Sequence, residues 1–463
     1  MRGMSESATN SAVPFAGTRP RARPSAATVE IGVAAAAFIG LCVAVLTRST
    51  QLLEPDDLAY RASIVALTHG HLTLSNAQYQ SLSQQLGGIA QWVHLSSGRW
   101  ISEKDPGYPF FAVPFQAIGA LRLAPLFYGA LGCVGLWFGG RKWLGRFGGA
   151  WAVAFYCSSG AALVFGWRAT MPTFTDASLI AAGTGALLWT MLATDASTRR
   201  RTLVGLLGFL ALEGATFIRY TDVLVLLATL AAVLAGYRAA HLARRSLAWW
   251  LGSVAAFGGL VGAFDAIEYG GVTKTGYAAG EITFSLGAVV PNLEHMPRHL
   301  VTAMPLLVLA LGTVGWTAVR LARRRRSPAR RLDAAVTAAL AAGWLGIYGL
   351  YAAYTWTERM AAGSGATVHV VRFYLPALAA VALLAAWLVQ QLPRWVPVAT
   401  LAAAIALGIG SYSSMAKAGL GGPGGPAGRF GGGILGGAPQ QGAPPGGRSF
   451  GALPSGGAPP AAP

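Results

Sequence analysis

Apolar residues recur in runs of about 20 along most of the chain, divided by short polar or basic stretches. Runs of that length match the hydrocarbon thickness of a bilayer. Backbone inside lipid has no water to bond, so the runs must be helical. Spans are predicted near 26–46, 121–140, 148–166, 173–192, 202–218, 221–237, 247–266, 299–319, 333–354, 371–389 and 396–412. The pattern describes an all-α polytopic membrane protein with about 11 transmembrane helices. The first run follows Arg19, Arg21 and Arg23, as a secretory signal would. Its leader is long and lacks a small-residue cleavage site, so a retained first span is expected.

The polar stretches differ in character. In the segment 47–120, residues 58–67 read as a short helix. From Tyr79, the apolar Leu82, Leu86, Ile89 and Val93 alternate at helical spacing with glutamines and serines, which predicts an interfacial amphipathic helix capped by Asn76. Ser97-Gly98 marks a turn, and Glu103-Lys104-Asp105-Pro106-Gly107-Tyr108-Pro109 is a stiff connection into the apolar residues 110–115. The domain organisation expected is a disordered cytoplasmic leader at 1–25, a transmembrane domain at 26–412 and a disordered tail at 413–463. That tail is Gly/Pro-rich and has too few large apolar side chains to fold.

Composition sharpens this picture. With 54% hydrophobic and only 11% charged residues, a soluble protein is excluded. A net charge of +18 would suggest nucleic acid in a soluble domain. Here the basic residues form short clusters between spans: Arg141-Lys142 with Arg146, Arg199-Arg200-Arg201, Arg238 with Arg244-Arg245, the arginines of 323–326 with Arg330-Arg331, and Arg394. Every cluster falls on one side of the predicted topology, which the positive-inside rule makes cytoplasmic, so no nucleic-acid partner is expected. Most acidic residues fall on the other side, among them Asp56, Asp57, Glu103, Asp105, Asp265, Glu281 and Glu358. The expected location is the plasma membrane, with a cytoplasmic N-terminus and an extracytoplasmic active site.

The sequence has no P-loop or dinucleotide fingerprint. Cys42, Cys133 and Cys157 lie inside apolar runs with neither disulfide nor metal spacing, and His69 and His71 read as surface histidines. No cofactor is called for. A divalent metal stays open, but no ligand spacing supports one.

Glu54-Pro55-Asp56-Asp57 follows the first span directly. Adjacent carboxylates at a membrane boundary need water, a cation or a substrate facing them. Asp56-Asp57-Leu58-Ala59-Tyr60, Glu103-Lys104-Asp105-Pro106 and Arg372-Phe373-Tyr374-Leu375-Pro376 occur in this order, with weaker echoes at Met171-Pro172-Thr173-Phe174-Thr175-Asp176 and Arg219-Tyr220-Thr221-Asp222. Together they resemble motifs of the C-type polytopic glycosyltransferases (GT-C fold), in the branch of protein O-mannosyltransferases and lipid A aminoarabinose transferases. Two departures stand out: Asp57 replaces a Glu, and Asp105 replaces a proline. The large soluble C-terminal domain of some relatives is not found.

The resemblance implies transfer of a hexose or pentose from a polyprenyl-phosphate donor to an extracytoplasmic hydroxyl of a glycan, glycolipid or protein, with inversion, beside membrane lipid. It implies Asp56 as general base with Asp57 as its orienter or substitute, and Lys104, Arg372 and Arg219 toward the donor phosphate. Such a transfer needs a base and fixed positive charge, and no strong acid, because phosphate leaves as a stable anion. Arg168 with Asp176, and Arg219 with Asp222, also read as structural ion pairs. Glu213, within a span, is expected to be protonated or paired. Tyr269, Tyr277 and Phe284 are placed to contact a sugar or acceptor. The competing class is a transporter or flippase for a lipid-linked or small polar substrate, although no internal repeat is visible.

Overall fold

The computed structural model describes residues 26–48, 55–277, 282–323, 328–360 and 366–419. The leader, Glu54, Glu281, the arginines Arg324, Arg325 and Arg326, and the tail from 420 lie outside the described residues.

The first helix, α1 (Ala26–Leu46), leads into the long loop, which folds as α2 (Pro55–Thr68), α3 (Asn76–Leu86), a hairpin of β1 (Trp92–His94) with β2 (Trp100–Ser102), and α4 (Gly107–Ala117). The bundle continues with α5 (Ala124–Leu144), α6 (Gly148–Cys157), α7 (Gly160–Trp167), α8 (Thr173–Leu192), α9 (Thr198–Ile218), α10 (Val223–Gly236) and α11 (Arg244–Glu268). It closes with α12 (Val289–Ala303), α13 (Leu307–Arg323), α14 (Pro328–Ala352), the short α15 (Thr355–Met360) and α16 (Ala366–Val371), α17 (Leu378–Gln390) and α18 (Val396–Gly419).

Every predicted span falls on a helix or a helix pair, but fewer than the expected 11 are single helices of full crossing length and apolarity. Among the described residues, six helices are long and apolar enough to cross a membrane, or up to eight if each bent pair is one span. The predicted 148–166 is the pair α6 and α7, bent by 60°. The predicted 299–319 divides at Met304-Pro305, where the axes turn by 108°. A residue before proline is pushed out of the α region, and Met304 has φ −134°, ψ 69°. Hydropathy windows average over such breaks. The last helix also runs to Gly419, beyond the boundary expected at 412.

Helix α8 is the centre of the bundle, and glycine sets its contact with α5. A Cβ on Gly185 would lie 2.1 Å from the carbonyl carbon of Gly135, so the two backbones touch. Small residues at a helix crossing allow this approach where no hydrophobic drive separates helix from lipid. The outer surface carries exposed Ile39, Val43, Phe138, Leu207, Trp249 and Leu260, as a lipid-facing surface should.

Contacts sort the connections into two ends. At one, Lys142 pairs with Asp195 at 2.7 Å, Arg201 donates to the carbonyls of Thr190 and Ala240, and the Trp143 indole donates to Asp333. That end gathers basic clusters, as the alternation of charge predicted. At the other, the first loop meets the α7–α8, α9–α10 and α16–α17 turns. Its helix α3 begins with a capping box on Ser75 and Gln78, one residue before the expected Asn76 cap. Leu82 packs with Ala62, Ala66, Leu74 and Trp92, and Tyr79 stacks on Trp100 at 4.1 Å. The apolar stripe of α3 thus covers the loop's own small core.

Candidate active site

Asp56 and Asp57 occupy the first turn of α2 behind Pro55, where proline's missing N–H costs nothing and the helix dipole favours negative charge. Neighbours on a helix point about 100° apart, so the two carboxylates face different surroundings. Asp57 is fully buried and accepts hydrogen bonds from Arg168 and from the Thr170 hydroxyl at 2.8 Å. Arg168 is equally buried. The expected Arg168–Asp176 pair is therefore replaced by Arg168–Asp57, because the α7–α8 turn folds back against α2. The Tyr108 hydroxyl fixes that turn by donating to the Ala169 carbonyl.

Asp56 keeps 18% of its side-chain surface accessible and sits between two cations. Lys104 Nζ lies 3.2 Å from Oδ1, and Arg372 Nη1 donates to Oδ2 at 2.8 Å. Lys104 arrives from the turn after β2, where its N–H donates to Ser102 Oγ at 3.2 Å. Glu103 Oε1 is 3.3 Å from the same ammonium. Burial would depress the Lys104 pKa, but Asp56 and Glu103 outweigh it and raise the value, so the ammonium stays charged. Gly107 lets this turn approach α9: a Cβ there would lie 2.3 Å from the Phe217 backbone.

Next along the turn, Asp105 accepts from the Tyr220 N–H at 3.3 Å. Burial raises its pKa to about 6 despite that bond and the nearby Arg219 and Lys104. The segment after α11 closes over the turn from above. Gly276 packs so tightly on Glu103 that a Cβ would come within 2.4 Å of its Cα. Tyr277 then accepts from Lys104 Nζ at 3.3 Å. Burial raises the Tyr277 pKa well above the usual phenol range, so it meets Lys104 as a neutral acceptor.

Arg219 serves this cluster from beneath. It donates to the Arg372 carbonyl at 2.9 Å and approaches Asp176 at 3.8 Å, where a pair with Asp222 was expected. Glu213 accepts from Ser253 Oγ at 2.9 and 3.1 Å, a polar partner for a charge inside the bundle. A groove of about 1060 Å³, lined almost wholly by apolar residues of α8, α10 and α14, extends from Pro376 and Ala377, just past the Arg372 turn, to Thr194 and Ala240 at the basic end. Among the described residues, no group of His, Cys, Asp and Glu could hold a metal ion.

The structure brings Asp56, Lys104 and Arg372 into one contact set, sets Arg219 behind Arg372, and turns Asp57 away. Sequence reasoning did not single out Thr170 or Trp356. The Trp356 ring lies 4.7 Å under the Arg372 guanidinium. The aromatic run Tyr348, Tyr351, Tyr354 and Trp356 ahead of Arg372 was a readable signal for the latter.

No family model matches the sequence, and no curated protein matches it significantly. Solved structures do resemble the fold. The oligosaccharyltransferase of Archaeoglobus fulgidus, in its apo form, is similar with a TM-score of 0.50 at 11% identity, over 84% of this chain and 56% of that one. The two share a polytopic helical fold. ArnT from Cupriavidus metallidurans bound to undecaprenyl phosphate gives a TM-score of 0.47 at 15% identity, over 79% of this chain and 60% of that one. The chain described here thus spans less than two thirds of either protein's length.

Proposed function

We propose that this protein is a membrane glycosyltransferase that moves a sugar from a polyprenyl-phosphate donor to an acceptor hydroxyl, with Asp56 as general base. The observation that carries the reading is the Lys104–Asp56–Arg372 set: one partly accessible carboxylate held between two cations at 3.2 and 2.8 Å. The chemistry needs a base for the acceptor proton and fixed positive charge for the departing phosphate. With a donor bound, its phosphate takes up Lys104 and Arg372, and Asp56 is released to the acceptor.

The acceptor oxygen then bonds to the anomeric carbon as the bond from that carbon to the phosphate oxygen breaks. The hydroxyl proton goes to Asp56, and the electron pair leaves with the phosphate. A single displacement inverts the anomeric centre. Asp57, bound to Arg168 and Thr170, positions the first turn of α2, and Arg219 holds the Arg372 backbone. The apolar groove beside the Arg372 turn suits an isoprenoid chain by its lining. The basic clusters at the opposite end support an extracytoplasmic site.

The test is transfer by the purified full-length chain in liposomes supplied with labelled undecaprenyl-phosphate sugars. Asp56→Asn is expected to insert normally and to slow formation of labelled product by roughly 10²- to 10⁴-fold. Lys104→Ala and Arg372→Ala are expected to raise the donor KM. Transfer at the normal rate by Asp56→Asn would sink the assignment.

A further inference from the structure

Beside Arg372 lies an aromatic arrangement that the transfer step above does not use. The Arg372 guanidinium rests 4.7 Å from the ring centre of Trp356 and 4.8 Å from that of Phe373, while its Nη1 reaches Asp56. Roughly parallel rings continue outward from Trp356. Tyr354 is inclined to it by 23° at 6.3 Å, and Phe284 to Tyr354 by 30° at 5.3 Å. Phe373 closes edge-on against Tyr354 at 5.5 Å.

The row is fixed by backbone pairing between two loops. The Ser285 N–H donates to the Ala353 carbonyl at 2.8 Å and the Thr355 N–H to the Thr283 carbonyl at 3.1 Å, bridging Phe284 to Tyr354. Phe284 is 44% exposed, Tyr354 and Trp356 are half-buried, and the exposed Glu358 follows in the same short helix as Trp356.

A pyranose ring carries slightly positive C–H groups on a face and hydroxyls around its rim. Aromatic faces are negative, so they attract the first, while carboxylate and hydroxyl side chains bond the second. We infer that the acceptor is a saccharide, that its ring stacks on the Phe284–Tyr354–Trp356 row, and that the row delivers its hydroxyl to Asp56. This rests on the transferase reading and names its acceptor class. Tryptophan and tyrosine also anchor proteins at membrane interfaces. Anchoring alone gives no reason for the row to end on a guanidinium bound to the site's carboxylate.

The experiment uses the full-length protein in nanodiscs with methyl α-mannopyranoside and methyl β-glucopyranoside as probes, read by saturation-transfer NMR. Undecaprenyl phosphate binding is followed in parallel by native mass spectrometry. Phe284→Leu and Tyr354→Leu remove a ring while keeping bulk, and Trp356→Phe keeps an aromatic face. The wild type is expected to saturate the axial ring protons of at least one glycoside. Each leucine variant should bind it about fivefold more weakly, with Trp356→Phe near wild type and lipid binding unchanged in all. Glycoside binding that is absent in the wild type, or unchanged in both leucine variants, overturns the inference. If undecaprenyl phosphate binds in that case, the transferase reading survives; if it does not bind the wild type, that reading falls as well.

Discussion

At the scale of residues, Asp56 and Asp57 share a chemistry and are separated by what they touch. On the proposed role of Asp56 as base, its removal should cost roughly 10²- to 10⁴-fold in kcat, the usual worth of general base catalysis, and Asp56→Asn measured under saturating donor checks this. Asp57→Asn is expected to act on folding, because it removes the carboxylate to which the buried Arg168 guanidinium donates, and breaking a buried pair costs about 3–5 kcal/mol. Thermal unfolding in detergent should show that loss, and Asp57→Asn combined with Arg168→Met should recover part of it. Asp105 gives a pH signature. Its pKa is raised from 3.8 to about 6, chiefly by burial, so the folded state binds the proton more tightly than the unfolded chain. That contribution is complete below about pH 4 and is lost as pH rises through about 6. Melting temperatures of Asp105→Asn should decline less steeply than those of the native protein over this window. The sequence marked the acidic pair, Lys104 and Arg372 by their motifs. It could not pair Asp57 with Arg168, since a link across 111 residues depends on how the α7–α8 turn folds.

At the scale of elements, glycines at close backbone approaches decide where the functional turns stand. A methyl group at Gly276 would meet the Glu103 backbone at 2.4 Å, with no flexible side-chain end able to give way. Gly276→Ala should therefore push the Tyr277 segment off Lys104 and change the donor KM while the bundle stays folded. Gly185→Leu should separate α5 from α8 and lower stability by at least the roughly 1–3 kcal/mol typical of overpacking, read from denaturation in detergent. Helix positions were legible because apolar length is a direct physical demand of the bilayer. The bends were harder to see, since Met304-Pro305 and Ser158-Ser159 are short signals inside runs whose mean hydropathy barely changes. The capping box at Ser75 and Gln78 was visible as a Ser-x-x-Gln spacing and was read one residue late.

At the scale of the whole molecule, charge alternation and contact geometry agree: basic connections meet at one end and the carboxylate–cation set at the other. The orientation this implies is checkable in intact cells. Ser97→Cys should react with a membrane-impermeant maleimide, and Thr194→Cys should react only after the cells are opened; both positions are exposed. Reversed labelling would put the site in the cytoplasm. The carboxylate–cation set also has a history in synthesis. Asp56 and Lys104 emerge early, whereas Arg372 follows Asp56 by 316 residues. During translation the nascent chain therefore holds half a site, and the second cation is supplied only when the late helices have been inserted. On the proposed transfer reaction, completion of the chain becomes the licence for activity, and a prematurely terminated product is expected to sit in the membrane without consuming donor lipid.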